Sequence, residues 1–371
     1  MKAKRIAVVL FVVAVFFTFY SVALGAEKVK IGVSLPLTGA SASDGQNTKN
    51  GAALALEHNK SKPALQKYNI EIAAEDDKSD PKDAAAIGNK FAGDKEIYAV
   101  VGNYNSSCTL AEASILSKAG IVQISPASSS PKITGFSKYL FRTQPTDELV
   151  GENIVDWAKD LKIKKVAVVY ENSDFGKGLQ GVYEKRWPGE GRTIVATEYY
   201  TPGSTLDFTS ILTKIKSAGA EGVLLGSLYQ DAALMAKQAK QLGLKAQFFG
   251  DTSLYTQNLI DIGKENVNGW HMFGQWIPTS KDPLVMKFVE DFQKQYKEMP
   301  VVFAAQAYDA MLIVLEGLAK NGPDREKLQV YVSTVRDFPG VTGKSTFKDG
   351  DVDKKLFRFT VVNGKFTQVQ K

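Results

Sequence analysis

The sequence predicts an α/β protein made of two successive βα series, with parallel-rich sheets covered by helices. Three observations predict it. Short apolar runs recur along the chain, each closing on Gly, Ser or Asp and each followed by a segment with helical periodicity. The layout repeats after Thr143: Val223-Leu224-Leu225-Gly226-Ser227-Leu228-Tyr229 echoes Val100-Val101-Gly102-Asn103-Tyr104. Near the C-terminus, Asn363-Gly364 separates two extended runs, the strongest short hairpin signal.

Taken in order, Val29–Leu35 alternates strictly and predicts the first strand. Pro36–Gly45 predicts a polar turn and Asn47–Asn59 a helix. Ile70–Ala74 predicts a strand running into Asp76, Asp77 and Asp80; Asp80-Pro81 then opens a helix to about Phe91, an N-cap residue followed by Pro at the first helical position. Phe141–Thr143 is a short extended piece, and Thr146 or Asp147 starts a helix to about Leu161. In the second series, strands are expected at Val166–Tyr170, Thr193–Tyr199, Gly222–Leu225 and Gln247–Phe249. They alternate with helices at Gly178–Trp187, Phe208–Ala218 and Asp231–Leu242. Val267–Ile277 reads as extended. Helices follow over Pro283–Lys297, Phe303–Lys320 and Asp324–Arg336 before the hairpin of Leu356–Val362 and Phe366–Val369.

The stretch Ala99–Pro131 organises the rest. It reads strand, turn, helix, strand, turn, and both turns are rich in hydroxyls: Ser106, Ser107 and Thr109 in the first, Ser125 and Ser128–Ser130 in the second. In open α/β sheets, ligands bind beyond the carboxyl ends of the strands. A helix start lined with Ser presents backbone N–H groups and hydroxyls to an anion. Each Ser taken singly is also an ordinary cap or loop former; two such turns side by side point to a site.

Composition excludes several classes. The 371 residues are 44% hydrophobic and 23% charged, an ordinary globular balance with length for two domains. Net charge is +6, and Lys2, Lys4 and Arg5 precede the first acid, Glu27, leaving +3 for the remainder. That is too small and too dispersed to argue for nucleic acid or an anionic membrane surface. Residues 1–26 read as a secretory signal: a basic start, an apolar stretch Ile6–Tyr20, and small residues in Ala23-Leu24-Gly25 that place cleavage near Gly25 or Ala26. The competing reading is an uncleaved anchor. The expected product is periplasmic. Cys108 is the only cysteine, so no internal disulfide forms, and it is expected to be a buried packing residue.

Motifs for chemistry are absent or misplaced. Gly176-Lys-Gly-Leu-Gln-Gly181 matches G-x-G-x-x-G, but Glu171–Phe175 separate it from its strand, whereas a dinucleotide fingerprint needs the first Gly in the tight turn. Gly343-Lys344-Ser345 ends like a phosphate loop, but Phe338 stands in place of its first Gly. Two histidines and one cysteine build no His/Cys metal constellation, and no G-x-S-x-G elbow occurs. No cofactor and no metal are expected. Asp76, Asp77 and Asp80 read more simply as strand-end and helix-capping acids than as cation ligands.

Several motifs carry a resemblance to a known family: IGVSLPLTG (Ile31–Gly39), VVGNYNSS and GIVQISPASS within 99–131, FRTQPTD (Phe141–Asp147), VAVVYENSDFGKG (Val166–Gly178) and AYDA (Ala307–Ala310). In their order and spacing the chain resembles, over Lys28–Val369, the periplasmic substrate-binding proteins of branched-chain amino acid ABC transporters, the type I periplasmic binding protein fold. The resemblance implies two Rossmann-like lobes joined by a three-crossing hinge: lobe 1 over 27–143 and 277–338, lobe 2 over 144–276 and 339–371. It implies a monomer, not an enzyme, that closes on an amino acid and delivers it to an inner-membrane permease.

By position, the resemblance implies that Ser106 and the start of its helix take the ligand carboxylate. Ala127 and Ser129, on the second turn, take the ammonium and more of the zwitterion. Tyr104 falls in the first contact turn. Tyr229 matches an aromatic contact from lobe 2, and Phe175 stands where the family often has Tyr. The lobe 2 acid that pairs with the ammonium falls at Thr252; Asp251 is one residue earlier and, on an extended chain, would point the other way unless the loop shifts. Asp44 stands where an aromatic residue can occur, and either lines the cleft, demanding a more polar or cationic ligand, or merely ends a turn, the favoured reading. Two further readings share these residues: a ligand sensor of the same fold, and a secreted α/β enzyme with Ser106 as nucleophile.

Overall fold

The structure, a computed structural model, describes residues 26–369; apart from its last residue, the expected signal segment lies outside them. Two sheets form the framework. The first has the order β2-β1-β3-β4-β5 and is parallel throughout: β1 (Glu27–Leu35), β2 (Tyr68–Asp76), β3 (Ile97–Gly102), β4 (Val122–Ser125) and β5 (Leu140–Arg142). Side chains alternate across β3. Ala99 and Val101 join the core shared with α1 (Ala42–Asn59) and α10 (Val302–Asn321), while Val100 faces Ile87 and Phe91 of α2 (Pro81–Gly93) and Leu116 of α3 (Ser106–Leu116). Helix α10 is long and apolar enough to cross a membrane, but its apolar window is 78% buried, so it is the spine of this lobe. It lies close against α1, where a Cβ on Gly51 would overlap the Ala304 carbonyl oxygen.

The second sheet has the order β14-β13-β10-β9-β8-β6-β7. Its parallel part comprises β6 (Lys165–Glu171), β7 (Thr193–Tyr200), β8 (Gly222–Gly226), β9 (Gln247–Gly250) and β10 (His271–Gly274). β13 (Phe357–Val362) pairs antiparallel with β10 and with β14 (Lys365–Val369). The hairpin turn has positive φ at both Asn363 and Gly364, as its dipeptide requires. α4 (Asp147–Asp160) and α5 (Asp174–Arg186) cover one face. The other is covered by α6 (Thr209–Ser217), α7 (Tyr229–Gln241) and the short α8 (Gln257–Gly263).

Three expectations need correction. Helix α1 begins at Ala42, not Asn47, so Asp44 lies in its first turn. Gly45, a poor helix former, is tolerated there because α1 packs so tightly that a Cβ would overlap the Pro36 carbonyl. Of Val267–Ile277 only His271–Gly274 is strand, and α8 precedes it unpredicted because seven residues give too short a period to read. The third crossing falls later than residue 338. Val341, Phe347 and Val352 lie in the core of the first lobe, and the short hairpin β11 (Phe347–Lys348) and β12 (Asp351–Val352) is held there by the buried Arg142, whose guanidinium meets Asp351 at 2.6 Å. Asp309 of the AYDA motif accepts the N–H groups of Val341 (2.7 Å) and Thr342 (2.9 Å). The chain therefore leaves the first lobe only between Val352 and Phe357, beyond a long loop whose apolar residues face a helix that sequence spacing does not reveal.

Candidate ligand-binding cleft

The two sheets point their parallel strands' carboxyl ends at each other. Between them lies a narrow inner cavity. From the first lobe it is lined by Tyr104, Asn105, Ser106, Ala127, Ser129 and Phe303; from the second by Phe175, Leu228, Asp251 and Ser253, with Gln144 at the first crossing. Its open room is about 20 Å³, that of one or two water molecules, so an amino acid needs the walls slightly parted or the adjoining space as well.

The first-lobe wall is built by α3 and the turn after β4. Asn105 is the N-cap of α3 but makes no side-chain capping bond, so no side chain caps the first N–H groups of α3 at the cavity. Ser106 Oγ accepts the N–H groups of Ser129 (3.3 Å) and Ser130 (3.2 Å). Those two bonds tie the helix start to the second Ser-rich turn and leave the Ser106 hydroxyl proton as a donor. The turn is fixed from behind. Ser125 Oγ donates to the Asn103 carbonyl (2.8 Å), and the hydroxyls of Ser128 and Thr109 are hydrogen-bonded at 2.7 Å. Asn103 donates to Ser34 (2.7 Å) and Asp77 (2.9 Å), which anchors the wall to β1 and to the end of β2. The acids after β2 have local duties: Asp76 accepts Leu37 N–H (2.8 Å), and Asp80 caps α2. Among the described residues no group of His, Cys, Asp and Glu is arranged to hold a metal ion.

The second-lobe wall carries the acid. Strand β9 ends at Gly250, and Asp251, itself extended, caps a 3-10 turn over Thr252–Leu254; Asp251 faces the cavity. Ser253 donates to Asp251 Oδ1 through its hydroxyl (2.5 Å) and N–H (3.2 Å), and among the described residues Oδ2 receives no hydrogen bond. Burial pushes the Asp251 carboxyl up to about 6, against the pull of Ser253. Thr252 is set behind the cavity, its hydroxyl accepting Gln144 Nε2 at 2.6 Å, so it takes no place in the lining.

Two other expected contacts move. Tyr229, first residue of α7, packs in the second lobe's core, and its neighbour Leu228 lines the cavity instead. Asp44 neither ends a turn nor lines the cavity. It is fully buried between the lobes, accepting Tyr104 Oη (3.0 Å) from its own lobe and Asn258 Nδ2 (3.1 Å) from the other. Burial raises its carboxyl to about 6. Ser106, Ala127, Ser129, Phe175, Tyr104 and Asp251 all line the one cavity. Asn105, Gln144, Leu228, Ser253 and Phe303 were missed. Phe303 comes from the start of α10, nearly 200 residues from α3, and packs edge-on against Tyr104 at 5.0 Å. Three carried a signal: Asn105 by its place in VVGNYNSS, Gln144 by its place in FRTQPTD, and Leu228 by its place in the repeated stretch Val223–Tyr229.

Further bonds cross the mouth. Asp174 at the start of α5 accepts Ser107 Oγ (2.9 Å) and Lys132 Nζ (2.7 Å), and its own N–H donates to Ser107 Oγ (3.0 Å). On the other side Gln230 donates to the Ala40 carbonyl (2.7 Å).

Two facing α/β lobes with a polar, enclosed cleft define a solute-binding protein that closes on its ligand. The profile of the periplasmic binding protein family matches residues 28–365, and the chain belongs to that family. It is 28% identical over 347 residues to the leucine-, isoleucine-, valine-, threonine- and alanine-binding protein of Pseudomonas aeruginosa, covering 92% of this chain and 91% of that one. It is 31% identical over 358 residues to Leu/Ile/Val-binding protein homolog 1 of Brucella abortus, covering 92% and 93%. Among solved structures, leucine-binding protein LivK of Thermotoga maritima superposes with a TM-score of 0.85 at 26% identity, over 92% of this chain and 98% of that one. LivJ of Streptococcus pneumoniae, a branched-chain amino acid transporter substrate-binding protein solved with isoleucine, gives 0.84 at 26%, over the same shares.

Proposed function

We propose that this chain is the periplasmic solute-binding component of an ABC importer, that its solute is an amino acid, and that it works as a monomer. The observation that carries the reading is the opposition of charge preferences across one cavity. Helix α3 offers N–H groups and the Ser106 hydroxyl to a carboxylate, and the buried Asp251 offers an oxygen to an ammonium. An α-amino acid carries both groups on one carbon. In this reading Ser106 and the α3 start hold the carboxylate. The Ala127 carbonyl and Asp251 share the ammonium, Ser129 adds a donor, and Phe175, Leu228, Tyr104 and Phe303 surround the side chain. Ligand that bridges both walls favours the closed arrangement, because it meets both only there.

A thermal-shift screen of the purified chain against the amino acids and small carboxylates such as benzoate tests this. Amino acids are expected to raise the melting temperature by binding the folded state alone. Stabilisation by carboxylates lacking an ammonium, with none by any amino acid, would overturn the reading. An enzyme acting through Ser106 is disfavoured by its hydroxyl: the partners it shows are backbone N–H donors, and no base is bonded to it.

A further inference from the structure

Beside the inner cavity lies a wider vestibule of about 460 Å³, and the two share Asn105, Ser106, Phe175 and Leu228 as common walls. The inner cavity alone is too small for an amino acid, and the shared passage, walled in part by Phe175 and Leu228, gives a long side chain a way into the vestibule. What faces it there is unbalanced. Asn105 Oδ1 is buried and has no hydrogen-bond partner. Glu171, 2% exposed at the end of β6, has one oxygen held by the Ser173 hydroxyl at 2.6 Å and the other, Oε2, unpartnered. Both orphans are acceptors. A buried acceptor without a donor is costly, and the cost is greatest for a carboxylate.

The surrounding charge has the same sense. Besides Glu171, the vestibule is lined by Asp231, Asp80 and Lys78. Lys78 pairs with Asp83 at 3.1 Å, and Asp80 is engaged in capping α2. Among the described residues, Glu171 and Asp231 remain as acids without a basic partner. Burial pushes them up, to about 7 and about 6.

We propose that Asn105 and Glu171 form a side-chain subsite for a positively charged hydrogen-bond donor, so that the cleft takes basic amino acids in preference to aliphatic ones of similar length. The inference rests on the amino-acid reading above and names its specificity. Asn105 Oδ1 accepts one donor of the distal ammonium or guanidinium, and Glu171 supplies the countercharge. Ser173 positions Glu171 from the N-cap of α5.

The test is titration calorimetry of the purified chain with L-lysine, L-arginine, L-leucine and L-norleucine, the last matching lysine's side chain without its nitrogen. Lysine or arginine is expected to bind at least tenfold tighter than norleucine, a charged hydrogen bond's worth. Glu171→Gln should cut that ratio about tenfold while leaving norleucine affinity within about threefold, and Asn105→Ala should cut it by a smaller factor. Leucine or norleucine binding as tightly as both basic amino acids overturns the subsite, as does a ratio unchanged in a folded Glu171→Gln chain. That result leaves the amino-acid reading standing, whereas no binding by any amino acid removes both. The wild-type comparison needs no variant, so a poorly folding substitution does not protect the proposal.

Discussion

Asp174 is predicted to hold the closed cleft shut, and Asp174→Ala is the perturbation that shows it. The residue takes three contacts from the opposite lobe: two with Ser107 Oγ, at 2.9 and 3.0 Å, and one with Lys132 Nζ at 2.7 Å. Substitution by alanine keeps the backbone N–H bond and removes the other two. The carboxylate's bond from Ser107 is worth about 1.5–3 kcal/mol when dry. At 26% side-chain exposure the lower end applies. Lys132 is 65% exposed, so its ion pair adds about 0–1 kcal/mol and is screened by salt. The closed arrangement thus loses about 1.5–2.5 kcal/mol. Since 1.4 kcal/mol is tenfold, ligand affinity should fall about 10- to 60-fold. The loss should fall on the dissociation rate, because the latch forms after the ligand is seated. Stopped-flow displacement measures it. Lys132→Met should give the small, salt-sensitive part alone, within about fivefold. The order of preference among ligands should not change, because Asp174 lies outside the cavity lining. A dissociation rate within twofold of the parent in a normally folded Asp174→Ala chain would refute the reasoning.

Other outcomes follow from the same geometry. Glu112 is fully buried behind the first wall, and burial raises its carboxyl to about 8, so folding at neutral pH takes up a proton. Its stabilising contribution is present below about pH 4.5 and is lost as pH rises through 8. Glu112→Gln should therefore raise urea stability by about 3–4 kcal/mol at pH 7–8 and by little near pH 4; an equal change at both pH values would contradict the assignment. Asp251, raised to about 6, must be ionised to hold an ammonium, so amino-acid affinity should fall ~10-fold between pH 7 and pH 5. Asp251→Asn should bind weakly and show a shallower slope, the remainder coming from Asp44 and Glu171, raised to about 6 and about 7; a parent affinity flat across that range removes the carboxylate from the contact. Gly51→Val should destabilise the chain by at least about 1–3 kcal/mol, because its Cβ meets backbone on α10 that cannot yield without moving the helix. Unchanged chemical denaturation would mean the two helices pack more loosely than the structure has them.

What was legible in the sequence was local. The strands, most helices, the Asn363-Gly364 hairpin and the two Ser-rich turns are each written in a few adjacent residues, and each appears where expected. Ser106, Ala127 and Ser129 sit together because β3 and β4 are neighbours in one parallel sheet, an adjacency that sequential βα order makes natural. Failures arose where a residue's direction depends on a distant segment. Position put the lobe 2 acid at Thr252, but the Thr252 hydroxyl is taken by Gln144, 108 residues away, and Asp251 faces the cavity instead. Asp44 was assigned to a turn, yet it is a helical acid whose partner, Asn258, lies 214 residues on. Phe303 and Leu228 reach the cavity only because lobes folded from separate stretches face each other.

That division between local and distant also separates the two tasks of the cleft. The elements proposed to take the carboxylate, the α3 start and the turn after β4, are fixed by a network internal to the first lobe: Asn103, Ser125, Ser128 and Thr109. On the proposed reading a wall held in this way captures a carboxylate at low ordering cost. The second lobe contributes Phe175, Leu228 and Glu171, the groups proposed to face the side chain. Substitutions in the second lobe can therefore change which side chain is accepted without disturbing carboxylate capture, whereas changes to Asn103 or Ser125 should weaken every ligand alike. A chain can accordingly keep the first-lobe motifs of its branched-chain-binding relatives while its second lobe reads a different side chain. On the proposal above, Glu171 is the second-lobe residue through which this one would do so.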